Sequence, residues 1–216
     1  MRLLLAIILL LIAPHTTRPK VASYLALGDS YTIGEAVDSN DRYPVQALHL
    51  IADARPEIIA TTGWTTGNLL DALAAARPAG DYQAVSLLIG VNNQYQGRSQ
   101  AEYREQFIAL LKAAIGLAGN RPSHVLVLSI PDYSVTPFAR KGNTARIAAQ
   151  IDSFNAINSG IAAMYKVNYL DVTTESRKAG ADPSLIAADG LHFSGKEYAI
   201  WARLMEPWLS TTLAQR

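Results

Sequence analysis

Five short apolar runs punctuate the chain: Val21 to Leu27, Glu57 to Thr61, Ala84 to Ile89, Val125 to Ile130 and Val167 to Val172. Bounded by turn residues and too short for helices, such runs predict strands, and their near-continuous apolar character predicts cover on both faces. Between them the apolar residues recur every three or four positions, the period of a helix with one buried face. Asp41 is placed to cap a helix that accommodates Pro44 in its first turn and runs to about Ala54. A shorter helix is predicted from Leu69 to Ala76, stopped by Arg77-Pro78. Ser99 and Glu102 have the spacing of a capping box. Behind them Phe107, Leu110, Leu111, Ala114, Ile115 and Ala118 share one face, and Gly119-Asn120 ends the helix. Another helix spans Thr144 to Tyr165. The last runs from Gly195 to Leu213, opened by a Ser194–Glu197 box, with Tyr198, Ile200, Trp201, Leu204 and Trp208 on its apolar side. Tyr31 to Asn40, Thr62 to Asn68, Pro131 to Asn143 and Thr173 to Asp189 read as loops, the last with room for a short helix around Pro183 to Ala187.

Strands that alternate with helices predict an α/β fold: three layers, α/β/α, around a five-stranded parallel sheet of flavodoxin-like type. No repeat, linker or low-complexity stretch interrupts residues 21–216, which are expected to form a single domain. In such sheets ligands gather outside the carboxyl ends of the strands. The residues following the first three strands are Gly28-Asp29-Ser30, Gly63-Trp64 and Gly90-Val91-Asn92.

The amino terminus has a different pattern. Met1-Arg2 precedes an unbroken apolar run from Leu3 to Ala13, then Pro14 and His15. A positive start and an apolar run of this length describe a secretory leader, and the run is shorter than the roughly 20 residues of a membrane span. No clear small-residue cleavage site follows. Residues 1–20 are therefore expected to be either a signal peptide or an uncleaved N-terminal anchor, with the protein exported, periplasmic or secreted, and touching a membrane only through that segment.

Composition removes several classes of function. The chain of 216 residues has a formal net charge of +1 and no basic stripe, so no nucleic-acid partner is expected. It has no cysteine, which excludes disulfides, thiolate catalysis and Cys-ligated zinc. No His–carboxylate cluster suggests a metal site. Gly190 to Lys196 has the glycine–lysine spacing of a phosphate loop, but Glu197 follows where that loop needs Ser or Thr, and no strand leads into it. Nor does a Gly-x-Ser-x-Gly elbow surround Ser30.

Ser30, at the end of the first strand, is a candidate nucleophile, which would require a base and a group to orient it. Four histidines are available. His15 lies in the leader, His49 within a helix, and His124 at the amino end of a strand, the wrong edge of the sheet. His192 stands in Asp189-Gly190-Leu191-His192-Phe193, just before the last helix, with Asp189 close enough to reach its imidazole. An aspartate capping a turn beside a solvated histidine fits that spacing as well. The Ser30 N–H, the Gly63 N–H and the Asn92 side-chain amide could serve as donors to a developing oxyanion, and each also fits an ordinary turn role taken singly.

Taken together, Gly28-Asp29-Ser30-Tyr31, Gly63, Gly90-Val91-Asn92 and Asp189-Gly190-Leu191-His192 resemble the four sequence blocks of the SGNH (GDSL-type) hydrolases, an esterase and lipase superfamily. The blocks occur in the family order and extend from about Val21 to the last helix. Gly67 competes with Gly63 for the second block, and Gly63 follows its strand more directly. In the third block Asn93 stands where the family usually has Asp, a departure that bears on loop support more than on the oxyanion. The resemblance implies a serine esterase with Ser30 as nucleophile, His192 as base and Asp189 orienting it. Ser30, Gly63 and Asn92 would form the oxyanion hole, with Asp29 bracing the turn and no metal or organic cofactor needed. The implied substrates are small-molecule or lipid esters: acyl lipids, thioesters, aryl or short-chain acyl esters. Acetylated carbohydrates are the alternative. A non-catalytic envelope binding domain is a further reading, against which the intact set of residues argues. Tyr31, Trp64, Tyr95 and Phe193 adjoin the candidate site residues and are expected either to touch substrate or to pack the loops. The 131–143 loop, with Tyr133, Phe138, Arg140 and Lys141, is expected to cover the site or to meet an anionic head group.

Overall fold

The computed structural model describes residues 23–215, and the expected leader and the first residues of the first predicted strand lie outside them. The apolar runs become β1 (Tyr24–Gly28), β2 (Glu57–Ala60), β3 (Ala84–Leu88), β4 (Val125–Leu128) and β5 (Asn168–Leu170). All pair in parallel, in the order β2-β1-β3-β4-β5. The three inner strands are buried at every position, whereas Glu57 of β2 and Asn168 of β5, at the two edges, are exposed. This contrast is why the inner strands are almost wholly apolar. Even the polar Ser86 is matched inside the sheet, its hydroxyl bonded to Tyr24 Oη at 2.7 Å.

Among the described residues eight α-helices connect and follow the strands: α1 (Ser30–Ile33), α2 (Tyr43–His49), α3 (Thr66–Ala76), α4 (Val91–Tyr95), α5 (Gln100–Leu117), α6 (Thr144–Met164), α7 (Thr173–Ser176) and α8 (Gly195–Ala214). Helices α3, α5 and α6 pack together over one face of the sheet, and α2 and α8 over the other. The result is the expected three-layer α/β/α fold.

Several boundaries depart from the sequence expectation. Arg42, not Asp41, is the cap of α2, which ends at His49 rather than Ala54. Leu50 is 52% exposed, so further turns would have no buried stripe to hold them. Helix α3 begins at Thr66 because Thr65 and Asn68 form a reciprocal capping box, inside what reads as loop. Helices α1, α4 and α7 also lie in segments without sequence period. The 131–143 segment holds two 3-10 turns, Tyr133–Val135 and Phe138–Lys141. In the following loop, 3-10 turns form at Arg177–Gly180 and Pro183–Leu185.

The last helix buries Tyr198, Trp201, Ala202, Met205 and Leu209, while Leu204 is 41% exposed and lies off that face. Ser194 accepts from the Glu197 N–H, but the Glu197 carboxylate turns inward to accept from Trp201 Nε1 at 2.7 Å, so the box is only half made. Around Trp201 sit the rings of Tyr31, Tyr43, Phe193 and Tyr198, with centroids 5.1–6.4 Å away. This cluster ties the last helix to the first turn after β1. Among the described residues no helix is long and apolar enough to cross a membrane, and no cluster of His, Asp and Glu could hold a metal.

Candidate active site

The turn after β1 is built from three requirements. A Cβ on Gly28 would lie 2.1 Å from Thr32 Oγ1 and 2.5 Å from the Leu88 carbonyl, so only glycine fits there. Asp29 caps α1, its Oδ1 accepting from the Tyr31 N–H at 3.1 Å. Ser30 is the first residue of α1, where backbone N–H groups have no intrahelical acceptor. The loop after β2 carries Gly63 with φ +85°, a left-handed conformation in which glycine avoids the Cβ penalty. After β3, Gly90 has φ +131°, and a Cβ there would meet the Tyr103 ring at 2.6 Å. The chain can therefore turn directly into α4 and present Asn92.

Asn92 donates one amide hydrogen to the Trp64 carbonyl at 3.0 Å, leaving the other for a second acceptor. Its neighbour Asn93 is fully buried and supports the adjoining loop. Asn93 Oδ1 accepts from the Thr66 N–H at 3.0 Å and Nδ2 donates to Thr66 Oγ1 at 2.7 Å, while the Thr66 hydroxyl passes on to Gln106 Oε1. An amide, donor and acceptor together, thus joins α4 to the start of α3 at the place where the family pattern has a carboxylate.

Asp189 organises the last site loop. Its Oδ1 accepts from the N–H groups of Leu191 and His192, both at 3.0 Å, and Oδ2 lies 2.5 Å from His192 Nδ1. Partial burial pushes the Asp189 carboxyl upward, but these three hydrogen bonds outweigh it and hold the group below its ordinary value. The loop is fixed by the Ile186–Phe193 bridge, by Ala187 N–H to the His192 carbonyl at 2.8 Å and by Phe138 N–H to the Gly190 carbonyl at 2.9 Å.

Ser30, Gly63, Asn92 and His192, from four separate parts of the chain, line one cavity of about 170 Å³. Ser30 and His192 both line it, with no hydrogen bond between them, and the absence of that bond before substrate binds does not rule out a nucleophile–base role. Tyr31 and Tyr95 also line it; Trp64 and Phe193 do not. Trp64 is half-buried against the core, contributing its carbonyl to Asn92, and Phe193 is fully buried between Tyr31 and Trp201. The remaining wall comes from Thr62, Val91, Leu191, Tyr133 and Phe138. Val91 and Leu191 directly adjoin Asn92 and His192, a proximity that sequence reasoning passed over in favour of aromatic neighbours. Arg140 and Lys141 are exposed and do not line the cavity. Of the other described histidines, His49 is exposed at the end of α2, and His124 is buried at the amino end of β4, bonded to the Gln83 carbonyl at 2.7 Å.

Asp29 is the unusual electrostatic feature. It is fully buried, its Oδ2 has no hydrogen-bond partner, and burial pushes its pKa up to about 7 against the lowering effect of nearby backbone N–H groups, that of Tyr31 foremost. Burial also raises the neighbouring Tyr31 hydroxyl, helped by the charge of Asp29.

Comparison with known proteins gives a family match: the GDSL-like Lipase/Acylhydrolase family model matches residues 26–200. Among solved structures the chain is similar to TesA, at 19% identity and a TM-score of 0.67 over 88% of this chain and 99% of that one. It is similar to the lipase/acylhydrolase from Enterococcus faecalis at 17% identity and 0.68, over 88% and 96%. The third is Axe2, an acetylxylan esterase from Geobacillus stearothermophilus, at 18% identity and 0.66, over 88% and 94%. At these identities the likeness is one of fold. No curated protein sequence matches.

Proposed function

Since the chain belongs to the GDSL-like lipase/acylhydrolase family, we propose that it is a serine esterase working through Ser30, His192 and Asp189. The observation that carries this reading is the Asp189 Oδ2–His192 Nδ1 contact of 2.5 Å at a cavity also lined by Ser30, Gly63 and Asn92. The aspartate favours the tautomer with hydrogen on Nδ1, so Nε2 is free to accept. Ser30 Oγ attacks the ester carbonyl carbon as His192 Nε2 takes its proton. The resulting oxyanion accepts from the N–H groups of Ser30 and Gly63 and from the unused hydrogen of Asn92 Nδ2. Collapse breaks the bond to the alcohol oxygen, which leaves with the proton from His192. Water, deprotonated by the same imidazole, then attacks the acyl-enzyme and releases the acid and Ser30. The lipase/acylhydrolase description of the family, with the similarity in fold to a lipase/acylhydrolase and to an acetylxylan esterase, leaves both lipid-type and acetylated-carbohydrate esters within this reading.

A fluorophosphonate probe should label the wild-type protein at Ser30, and Ser30→Ala should lose both the label and p-nitrophenyl butyrate hydrolysis while keeping the wild-type circular dichroism. Esterase activity surviving in Ser30→Ala would overturn the mechanism, and folded wild-type protein that resists the probe would favour a binding domain. Export through residues 1–20 is part of the same proposal. Fractionation of cells producing the whole chain tests it, and activity confined to the cytoplasm would contradict it.

A further inference from the structure

The cavity itself limits what Ser30 can carry. Its volume is about 170 Å³, close to the roughly 150 Å³ of an apolar cavity that holds one benzene ring. A space of that size has room for the reacting centre and one substituent of an ester. No lysine, arginine, aspartate or glutamate lines it among the described residues. The walls are Val91, Leu191 and the rings of Tyr31, Tyr133, Tyr95 and Phe138.

One wall of the cavity, made by Tyr95, Tyr133 and Phe138, is an aromatic group held from three sides. Tyr133 donates its hydroxyl to Gln94 Oε1 at 3.0 Å, and Gln94 donates onward to Gln150 Oε1 at 2.8 Å. Asp132, buried beside it, caps Ser134 and is paired with Arg177 at 2.8 Å. The exposed Tyr95 ring lies against Tyr133, with centroids 6.4 Å apart, and against Phe138 at 6.2 Å. Tyr95 is 60% exposed and Phe138 41%, so this pair forms the outer wall, whereas Tyr133 is the fixed surface behind it. A buried polar network makes Tyr133 costly to displace.

Resting on the esterase reading above, we infer that the protein selects uncharged esters of short acyl groups, from acetyl to about hexanoyl, and that Tyr95 and Phe138 set this limit. A longer chain would have to push the two rings apart or leave methylenes in water. The absence of lining charge among the described residues disfavours an ionised group at the acyl end. Acetylated carbohydrates fall at the short end of the same class, with the alcohol part outside the cavity.

The test is a series of p-nitrophenyl esters from acetate to dodecanoate, kept below their aggregation limits, with kcat/KM measured for each. Wild-type protein should peak between acetate and hexanoate and fall at least tenfold by dodecanoate. Tyr95→Ala and Phe138→Ala should each raise the octanoate-to-butyrate ratio severalfold, and Tyr95→Trp should lower it. A wild-type kcat/KM that climbs through dodecanoate, or ratios that none of the three variants moves, would overturn the size limit while leaving Ser30 as nucleophile. No hydrolysis of any ester, together with no fluorophosphonate label on folded protein, would instead overturn the esterase reading, and the size limit with it.

Discussion

One residue before the candidate nucleophile, Asp29 keeps a carboxyl group out of water with one oxygen unpartnered. The described rings whose titration feels its charge are Tyr31, Tyr43, Tyr103 and Tyr198, from four different helices, and none can offer a positive charge. Burial therefore favours the neutral acid, and the group titrates at about 7 instead of 3.8. The folded state thus holds this proton through a range in which the unfolded chain has released it. Stability contributed by Asp29 is complete below about pH 4 and declines as pH rises to about 7, by roughly 4 kcal/mol in total. Asp189 has the opposite sign: its depressed value means that its contribution is present above the unfolded pKa and is lost as pH falls through the folded one. Asp29→Asn keeps an acceptor for the Tyr31 N–H and cannot ionise. The difference in urea midpoint between variant and wild type should grow in favour of the variant from pH 4 to pH 8. A difference that stays constant with pH would show that Asp29 does not hold its proton. Nothing in Gly-Asp-Ser shows this burial, since the tripeptide reads only as a turn; the cost appears once α1, α2, α5 and α8 close over it.

At the scale of elements, the long helices were legible and the short ones were not, for a physical reason. Helix α5 has room for a buried stripe, Phe107, Leu110, Leu111 and Ala114, and a Ser99 cap, so its period shows in the sequence. Helices α1 and α4 are of four and five residues, too short to display one, and exist because Asp29 and Gly90 start them where strands end. The beginning of α3 was hidden in a run of Thr, Gly and Asn, which supplies turns and caps alike. The contact between α4 and α3 made by Asn93 was also out of view, because it joins residues 27 apart in sequence. It places Asn92 and the Gly63 loop in a common frame. Asn93→Ala would leave the Thr66 N–H and hydroxyl without this buried partner, at a cost of roughly 2–3 kcal/mol, and should lower kcat by loosening Asn92. Asn93→Asp should be milder: the carboxylate still accepts from the Thr66 N–H, and the Thr66 hydroxyl can turn to donate to it if Gln106 rotates its amide. Equal losses of stability in the two variants, measured by urea unfolding, would contradict this account.

For the whole molecule, the relevant fact is the strand order. Ser30 follows β1, Gly63 follows β2 and Asn92 follows β3, and in the order β2-β1-β3-β4-β5 these three strands are neighbours. The direction of the chain reverses across the sheet between β1 and β3, the position where α/β sheets open a crevice. The sequence showed which residues follow which strands, so the edge bearing the site was legible, whereas the order that makes them adjacent is a property of packing. The depth of Phe193 was equally out of reach: beside a candidate base it reads as either a substrate contact or loop packing, and it is the anchor of the last loop, wholly buried against Tyr31 and Trp201. That anchoring has a consequence for stability. Loops at active sites often open well before the fold does, but here the His192 loop is held by Phe193, by the bridge to Ile186 and by Phe138 N–H on Gly190. Its opening would expose the aromatic cluster that binds α8 to the rest of the core. Loss of esterase activity in urea should therefore follow the same curve as tryptophan fluorescence and far-ultraviolet circular dichroism, as one two-state transition. Activity lost at distinctly lower urea than the two spectroscopic signals would mean that the loop carrying Asp189 and His192 releases on its own.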